Sequence, residues 1–338
     1  MDTNHIPGTG LVGRAPELAR LRGLVDGLAG TGRGGAVVIA GMPGIGKTAL
    51  LKAIAPQSVR VLDVAGAASE ATLPWGGLAD LLEPLMGHER ALDPPARAAL
   101  RGALALERTT VAESARVLHA AAQLLAAASE ERRLALRVDD LQWLDPSSRQ
   151  AIEFLARRAE RIGIALIAAW SLRGEPFDPW PGVPVLALDQ LERAEALTLA
   201  RRARLTPAVA AALVDAVGGN PLALIEAPAQ LTPAARDGRE PLPDALPVGS
   251  RLEAVFAERV GGLPDDCREA LLLLALGDGD PRALAAALGD LDPLEPAEEA
   301  GLIEIAPTGI AFVHPIVRTA IARAVSPGAR RAAHRALA

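Results

Sequence analysis

The sequence predicts an α/β fold: a parallel five-stranded sheet covered on both faces, followed by a helical lid and a winged-helix segment. Three observations carry this expectation. Short apolar runs alternate with helical patterns over residues 1–190, which is the signature of βαβ units and a parallel sheet. Only helical patterns remain over residues 191–231. Near the C-terminus, two short apolar runs flank Pro307-Thr308-Gly309 and lead into another helix, the outline of a winged helix.

Taken in order, Leu18, Leu21, Leu24, Val25 and Leu28 recur at helical spacing, so residues 11–30 read as an amphipathic helix. After the Gly-rich break at residues 30–35, residues 36–40 read as a fully buried strand. A glycine loop and an apolar helix ended by Pro56 follow it. Residues 59–64 form the second strand, and residues 74–86, 96–106 and 112–129 read as helices. Residues 134–138 make a third strand stopped by Asp139 and Asp140. A helix over residues 147–161 precedes the fourth strand at 164–170, and Val185–Leu188 is a short fifth. Four prolines within residues 232–249 (Pro233, Pro241, Pro243, Pro247) mark a linker.

Composition narrows the function. With 338 residues, half of them hydrophobic, the chain has material for two or three domains with buried cores. The balance of 35 basic and 41 acidic residues gives a net charge of −6, which argues against a chain that coats nucleic acid. There is no tyrosine and aromatics are 2% of residues, so base-stacking platforms are not expected. The single cysteine, Cys267, cannot form an internal disulfide and reads as a buried structural residue. Residues 1–11 lack the charged start and apolar stretch of a signal peptide, and the longest apolar runs, such as 270–276, are too short to cross a membrane. A cytoplasmic protein is expected. Lys47 and Lys52 are the only lysines against a large excess of arginine, so each stands out.

Lys47 falls in Gly41-Met42-Pro43-Gly44-Ile45-Gly46-Lys47-Thr48, which fits G-x-x-x-x-G-K-[ST], with Ala49 following. The glycines let the backbone turn its N–H groups toward phosphate oxygens, and the helix opening at Lys47 adds its positive end. The Lys47 ammonium can reach the β- and γ-phosphates, and the Thr48 hydroxyl can bind Mg²⁺. The loop also sits after a buried strand and before a helix, as a nucleotide cradle requires. Downstream, the third strand ends in Asp139-Asp140. A carboxylate there lies beside such a loop: Asp139 is placed to hold Mg²⁺, and Asp140 to orient or deprotonate an attacking water. By its residues alone this is equally a turn capped by Asp145-Pro146-Ser147. Arg137 is out of place in a buried strand; it stands at an edge, snorkels, or reaches toward phosphate.

Further residues form an ordered set with these: Val12-Gly13-Arg14, Leu73-Pro74-Trp75, Asp139-Asp140-Leu141-Gln142-Trp143-Leu144-Asp145, Arg173, Gly219-Asn220-Pro221-Leu222-Ala223-Leu224 and Phe312-Val313-His314-Pro315. Together they resemble the P-loop ATPase module (NB-ARC/AAA-like) of the STAND class, signal-transduction ATPases with numerous domains. Within it they are most similar to the large ATP-binding regulators of the LuxR type. The resemblance implies a nucleotide-binding domain at residues 1–190, a helical lid at 191–235, a linker at 236–249 and a winged-helix domain at 250–338. It implies ATP or ADP with Mg²⁺ as cofactors. Val12, Gly13 and Arg14 would lie near adenine or ribose, and Gly41, Pro43, Gly44, Ile45, Gly46, Lys47, Thr48 and Ala49 at the phosphates. Arg173 would sense the γ-phosphate, Pro221 would pack on the nucleotide, and His314 would reach the β-phosphate. On their residues alone, Val12-Gly13-Arg14 reads as a turn, Arg173 as a solvated loop arginine, Gly219-Asn220-Pro221 as a helix restart and His314 as a structural histidine.

Three features depart from that pattern: Ala15 stands where glutamate is usual, Arg137 replaces an apolar strand residue, and the chain stops after the winged helix without superhelical repeats or a DNA-binding helix-turn-helix. The reading is a nucleotide-operated switch with slow hydrolysis and self-association on ATP binding, meeting DNA only through a domain outside this chain. The main competitor is a DNA-engaging AAA+-type ATPase of the origin-recognition kind, supported by Arg318, Arg323, Arg330, Arg331 and Arg335 in a stretch without acidic residues. A metabolic P-loop kinase is a third class, for which no acceptor motif stands out.

Overall fold

The computed structural model describes residues 11–54, 58–104, 114–172, 180–243, 260–277, 284–285, 288, 290–306, 309–313, 317–318, 321, 331, 333 and 335–336. The chain divides into two units. The first comprises Met1–Gly41, Lys47–Ser171 and Phe177–Leu188; the second comprises Met42–Gly46, Leu172–Pro176 and Asp189–Ala338. Arg173 and His314 lie outside the described residues, as do Pro56, Pro315, Arg323 and Arg330.

The first unit is built on a five-stranded sheet of β1 (Gly35–Gly41), β2 (Arg60–Ala65), β3 (Leu134–Asp139), β4 (Ile164–Ser171) and β5 (Val185–Leu188). Its order is β2-β3-β4-β1-β5 and every pairing is parallel. The expected strands are all present. β1 and β4 are covered on both faces, which is why they read as unbroken apolar runs. Four strands reach further than the sequence suggests, β2 among them, which runs to Ala65. β1 runs to Gly41, β3 takes in Asp139, which pairs with Ala65, and β4 takes in Ser171, which pairs with Gly41. Asp139 therefore does not stop its strand. Because β3, β4 and β1 are neighbours, their carboxyl ends bring Asp139, Ser171 and Gly41 to one edge of the sheet, where open α/β sheets bind ligands.

The helix α1 (Ala15–Thr31) buries Leu21, Val25 and Leu28 and starts after Val12-Gly13-Arg14. The phosphate-loop helix, α2, spans Lys47–Lys52. The helix expected over residues 74–86 is shorter: α3 covers Gly76–Leu82 and passes into a 3₁₀ stretch, Glu83–Ala91. Pro74 and Trp75 precede it, with Trp75 in the left-handed region at φ 64°. Next come α4 (Pro94–Ala103) and α5 (Ser114–Glu131). The helix expected over 147–161 is two, α6 (Pro146–Ala156) and α7 (Ala159–Ile162), because the Arg158 N–H closes a tight turn on the Leu155 carbonyl.

Asp145 caps two helices at once. Its carboxylate accepts from the Ser148 N–H of its own helix at 2.9 Å and from the Trp75 and Gly77 N–H groups at the start of α3 at 2.9 and 3.4 Å. The Ser148 hydroxyl takes the next amide, Leu78, at 2.9 Å. A buried acid and a buried hydroxyl thus satisfy the orphan amides of both helix starts, holding the segment after β3 against α3.

Arg137 also finds its reason. β3 is an inner strand, so Arg137 is not at an edge, and its guanidinium turns to α2. It grips Asp63 of β2 bidentately at 2.6 and 2.7 Å and donates to the Leu51 and Ile54 carbonyls at 3.3 and 2.9 Å. A cation on carbonyls at and just past the end of α2 opposes the negative end of that helix dipole.

In the second unit, α8 (Arg193–Arg201), α9 (Pro207–Val217) and α10 (Pro221–Gln230) pack on one another, and a further turn, α11 (Pro233–Arg236), opens the stretch read as a linker. Pro233 is there a first-turn helical proline under a Thr232 cap, a place where its missing N–H costs nothing. Further on, Asp265–Leu276 is helical and buries Cys267, whose thiol burial pushes upward in pKa. The hairpin β6 (Ile303–Ala306) and β7 (Gly309–Phe312) is antiparallel, as the sequence suggests. Arg318 donates to the Ala275 and Gly277 carbonyls at 2.8 and 3.2 Å, so one arginine of the basic stretch is engaged in ending that helix. No described helix is long and apolar enough to cross a membrane.

The two-sided grip of Arg137 predicts unequal losses. Arg137→Met should lower unfolding free energy by roughly 1–3 kcal/mol, since it leaves helix carbonyls unpaired. Asp63→Asn, at an exposed carboxylate, should cost about 1 kcal/mol or less. Equal midpoint shifts in urea titrations of the two variants would refute a capping role for Arg137.

Candidate functional site

The loop between β1 and α2 is where the local sequence departs most from regular structure. Gly44 and Gly46 have φ of 77° and 104°, conformations that only glycine adopts without strain, which accounts for their spacing. At Lys47 the chain becomes helical. The Lys47 side chain is 7% exposed, and its ammonium donates to the Gly41 carbonyl at 2.8 Å and to the Ser171 hydroxyl at 3.1 Å. A buried lysine laid across the ends of β1 and β4 is costly unless its donors find acceptors, and these two oxygens supply them.

The Thr48 hydroxyl, one residue on, faces the Asp139 carboxyl at the end of β3 and favours its charged form. Burial raises the pKa of that carboxyl above the ordinary carboxylate range. The Thr48 hydroxyl and the Lys47 charge pull it down, while the neighbouring Asp140 charge adds to the rise. Asp139 also accepts the Asp140 N–H at 3.0 Å. Two hard oxygens, a hydroxyl and a carboxylate, meet here, and the set suits Mg²⁺. That ion takes one or two protein oxygens and fills its shell with phosphate and water.

Asp140 itself sits at φ 47°, left-handed although it is not glycine. Strained residues of this kind concentrate at functional sites. Its carboxylate accepts from the Gln142 amide NH₂ at 2.8 Å, and the Gln142 carbonyl accepts the Ser171 N–H at 2.9 Å. The two partners settle the orientation of the amide, because the carboxylate needs a donor and the N–H an acceptor. A continuous chain of bonds therefore runs Asp140–Gln142–Ser171–Lys47–Gly41, joining the ends of β3, β4 and β1. Sequence reasoning placed Lys47, Thr48, Asp139 and Asp140, and the structure brings these four together. It missed Gln142 and Ser171. Gln142 was visible only as one letter of Asp139-Asp140-Leu141-Gln142-Trp143, and Ser171 depends on where β4 ends.

Residues Met42–Gly46 belong to the second unit, and there they meet the start of α10. The Asn220 side-chain carbonyl caps α10 by accepting the Leu222 and Ala223 N–H groups at 3.1 and 3.3 Å. Its NH₂ donates to the Pro43 carbonyl at 3.0 Å, and the Leu222 N–H is shared with the Gly44 carbonyl at 3.2 Å. Gly219 brings Asn220 into place: its N–H donates to the Gln190 side-chain carbonyl at 2.9 Å and its carbonyl accepts the Leu191 N–H at 2.9 Å. A Cβ there would stand 2.1 Å from the Leu191 carbonyl oxygen, so no other residue fits. Pro221 follows as the first helical residue. The segment is the helix restart it resembles, with an added grip on the loop. Ile45 is buried, and its N–H closes a tight turn on the Met42 carbonyl at 3.3 Å. Ala49 lies in the first turn of α2. In the first unit, Val12 and Gly13 form the turn before α1, Gly13 at φ 66°, and buried Arg14 pairs with Glu17 at 3.2 Å.

Residues 10–167 match the family model of the AAA ATPase domain. No curated protein matches the chain. Among solved structures, a Walker-type ATPase of Pyrococcus abyssi is 13% identical, with a TM-score of 0.55 over 92% of this chain and 96% of that one. A STAND protein with a tetratricopeptide repeat sensor from Pyrococcus horikoshii is 21% identical, with a TM-score of 0.42 over 97% of this chain and 44% of that one. The Aeropyrum pernix Orc1 protein, solved in complex with DNA, is 15% identical, with a TM-score of 0.43 over 93% of each chain. The likeness to the Walker-type ATPase is one of fold.

Burial favours the protonated acid at Asp139, so this carboxyl contributes stability at low pH that is lost as pH rises through its raised pKa. At neutral pH its charge is a net cost to the nucleotide-free fold. Asp139→Asn should therefore melt no lower than the parent at pH 7, and the two melting curves should converge on acidification. A variant that melts well below the parent at pH 7 would show that the charge is stabilising instead.

Proposed function

We propose that this protein is an ATP/ADP-operated switch, the ATPase core of a signal-transduction regulator of the LuxR-type STAND kind, in which slow hydrolysis of ATP resets a closed ADP-bound state. The observation that carries this reading is the meeting of Lys47, Thr48, Asp139 and Asp140 at the loop between β1 and α2. The match of residues 10–167 to the AAA ATPase domain supports it independently.

In this proposal the loop amides from Gly44 to Thr48 donate to phosphate oxygens, and the positive end of α2 adds to their field. Lys47 exchanges Gly41 and Ser171 for phosphate oxygens, which suit a lysine better than neutral acceptors do. Thr48 and Asp139 would hold Mg²⁺, which when bound would supply positive charge against the phosphates and against the buried Asp139 carboxylate. Asp140 orients a water and takes its proton, while Gln142 keeps the carboxylate aimed and ties it to the end of β4. Val12-Gly13-Arg14 contacts the base or ribose, and Pro221 packs on the nucleotide. Self-association on ATP binding and transcriptional control through a domain outside this chain complete the reading.

The direct test is to denature the purified protein and identify released nucleotide, with Lys47→Ala in parallel. ADP at one per chain, with affinity falling by about a hundredfold or more in the variant, is expected for a lysine on phosphate. Asp140→Asn should keep nucleotide binding within about threefold and lower kcat by roughly 10²–10⁴ if Asp140 is the general base. Gln142→Leu should lower kcat about tenfold with a smaller change in KM, as expected for a residue that aims the base. An empty protein that hydrolyses ATP rapidly on adding duplex DNA would overturn the switch in favour of a DNA-engaging ATPase.

A further inference from the structure

We propose that Asn220 is a positioning residue that makes the phosphate loop and the lid helix α10 one mechanical piece, so that a nucleotide ordering the loop acts on the lid through this side chain. The proposal rests on the nucleotide reading above, but the contacts that carry it lie wholly within the second unit.

Asn220 is 3% exposed and uses both ends of its amide. The carbonyl end caps α10, a task that Asp, Ser or Thr performs as well. The NH₂ end donates to the Pro43 carbonyl at 3.0 Å while the carbonyl end caps, a double task for which a carboxylate has no donor and a hydroxyl has only one atom. The Gly44 carbonyl meets the Leu222 N–H in the same turn of α10. Two consecutive carbonyls of the loop are thus held by one helix start, and that start is itself pinned by Gly219 against Leu191, where a Cβ has no room. A loop that turns amides toward phosphate presents its carbonyls elsewhere; here Pro43 and Gly44 present theirs to the lid. Rearranging the loop on binding or hydrolysis moves these two acceptors, and α10 must either follow or lose both bonds.

Asn220→Asp and Asn220→Ser separate the two tasks: each keeps a cap, the Asp carboxylate has no donor for Pro43, and the Ser hydroxyl is one bond shorter than the amide that reaches it. Both variants of the full chain should melt within a few degrees of the parent without nucleotide. Titrated with a fluorescent ADP, both should bind about tenfold more weakly, the scale of one lost hydrogen bond to a positioned loop. Hydrogen exchange should show ADP slowing the α10 amides in the parent and not in the variants. Parent-like ADP affinity together with parent-like slowing in α10 would overturn the proposal and leave Asn220 a helix cap. Should neither variant fold, the parent decides: ADP slows Leu222 and Ala223 together with the loop amides if they are one piece, and leaves them unchanged if they are not. Should the parent bind no ADP, the nucleotide reading fails and the exchange of the Ile45 amide separates the two ideas. It quickens in Asn220→Asp if the side chain holds the loop, and stays at the parent rate if it does not.

Discussion

A backbone loop that offers its amides to one side leaves its carbonyls facing the other, and buried carbonyls need donors. Four consecutive loop carbonyls have them. Gly41 receives the Lys47 ammonium, Met42 the Ile45 N–H, Pro43 the Asn220 amide and Gly44 the Leu222 N–H. The rest of the site depends on this accounting. It fixes the course of the loop, and it explains why a lysine is tolerated in a buried place. It also joins Pro43 and Gly44 to the start of α10.

The second constraint is the parallel order of the sheet. With β3, β4 and β1 adjacent, Asp139, Ser171 and Gly41 arrive at neighbouring strand ends although they are distant in the chain. Gln142 then spans the gap between the acidic turn and β4, so the left-handed Asp140 is restrained at its side chain as well as its backbone. A strained residue persists only where its surroundings over-determine it. Here those surroundings are bonds that also engage Lys47 through Ser171. The Asp140 carboxylate and the Lys47 ammonium are thereby linked through Gln142 and Ser171.

Residues outside the chemistry hold this edge in place. Arg137 anchors the far end of α2 to β2 and β3, so the helix that opens at Lys47 is fixed at its other terminus. Asp145 and Ser148 fasten the segment after β3 to the start of α3. Each is a polar group with little exposure whose partners include backbone groups at helix ends, where intrahelical bonds run out. Arg137, which looks anomalous in one dimension, is thus engaged in finishing a helix, as Asp145 and Ser148 are.

The five strands, the turn of the loop, and Lys47, Thr48, Asp139 and Asp140 were legible because each has a short-range cause. A buried parallel strand must be an apolar run, and a loop with two left-handed residues must carry glycines at fixed spacing. Strand ends, the break between α6 and α7 and the late start of α3 were not legible, since partners far along the chain decide them. Gln142, Ser171 and Asn220 escaped for the same reason, their hydrogen bonds spanning 29 residues in one case and 177 in another. The sequence by itself determined the sheet and the residues able to meet phosphate and metal, because local periodicity and glycine spacing encode both. Only the tertiary structure decided which donors satisfy the loop and which side chain restrains the acid. Buried polar groups take their partners from whatever the packing brings within 3 Å or so.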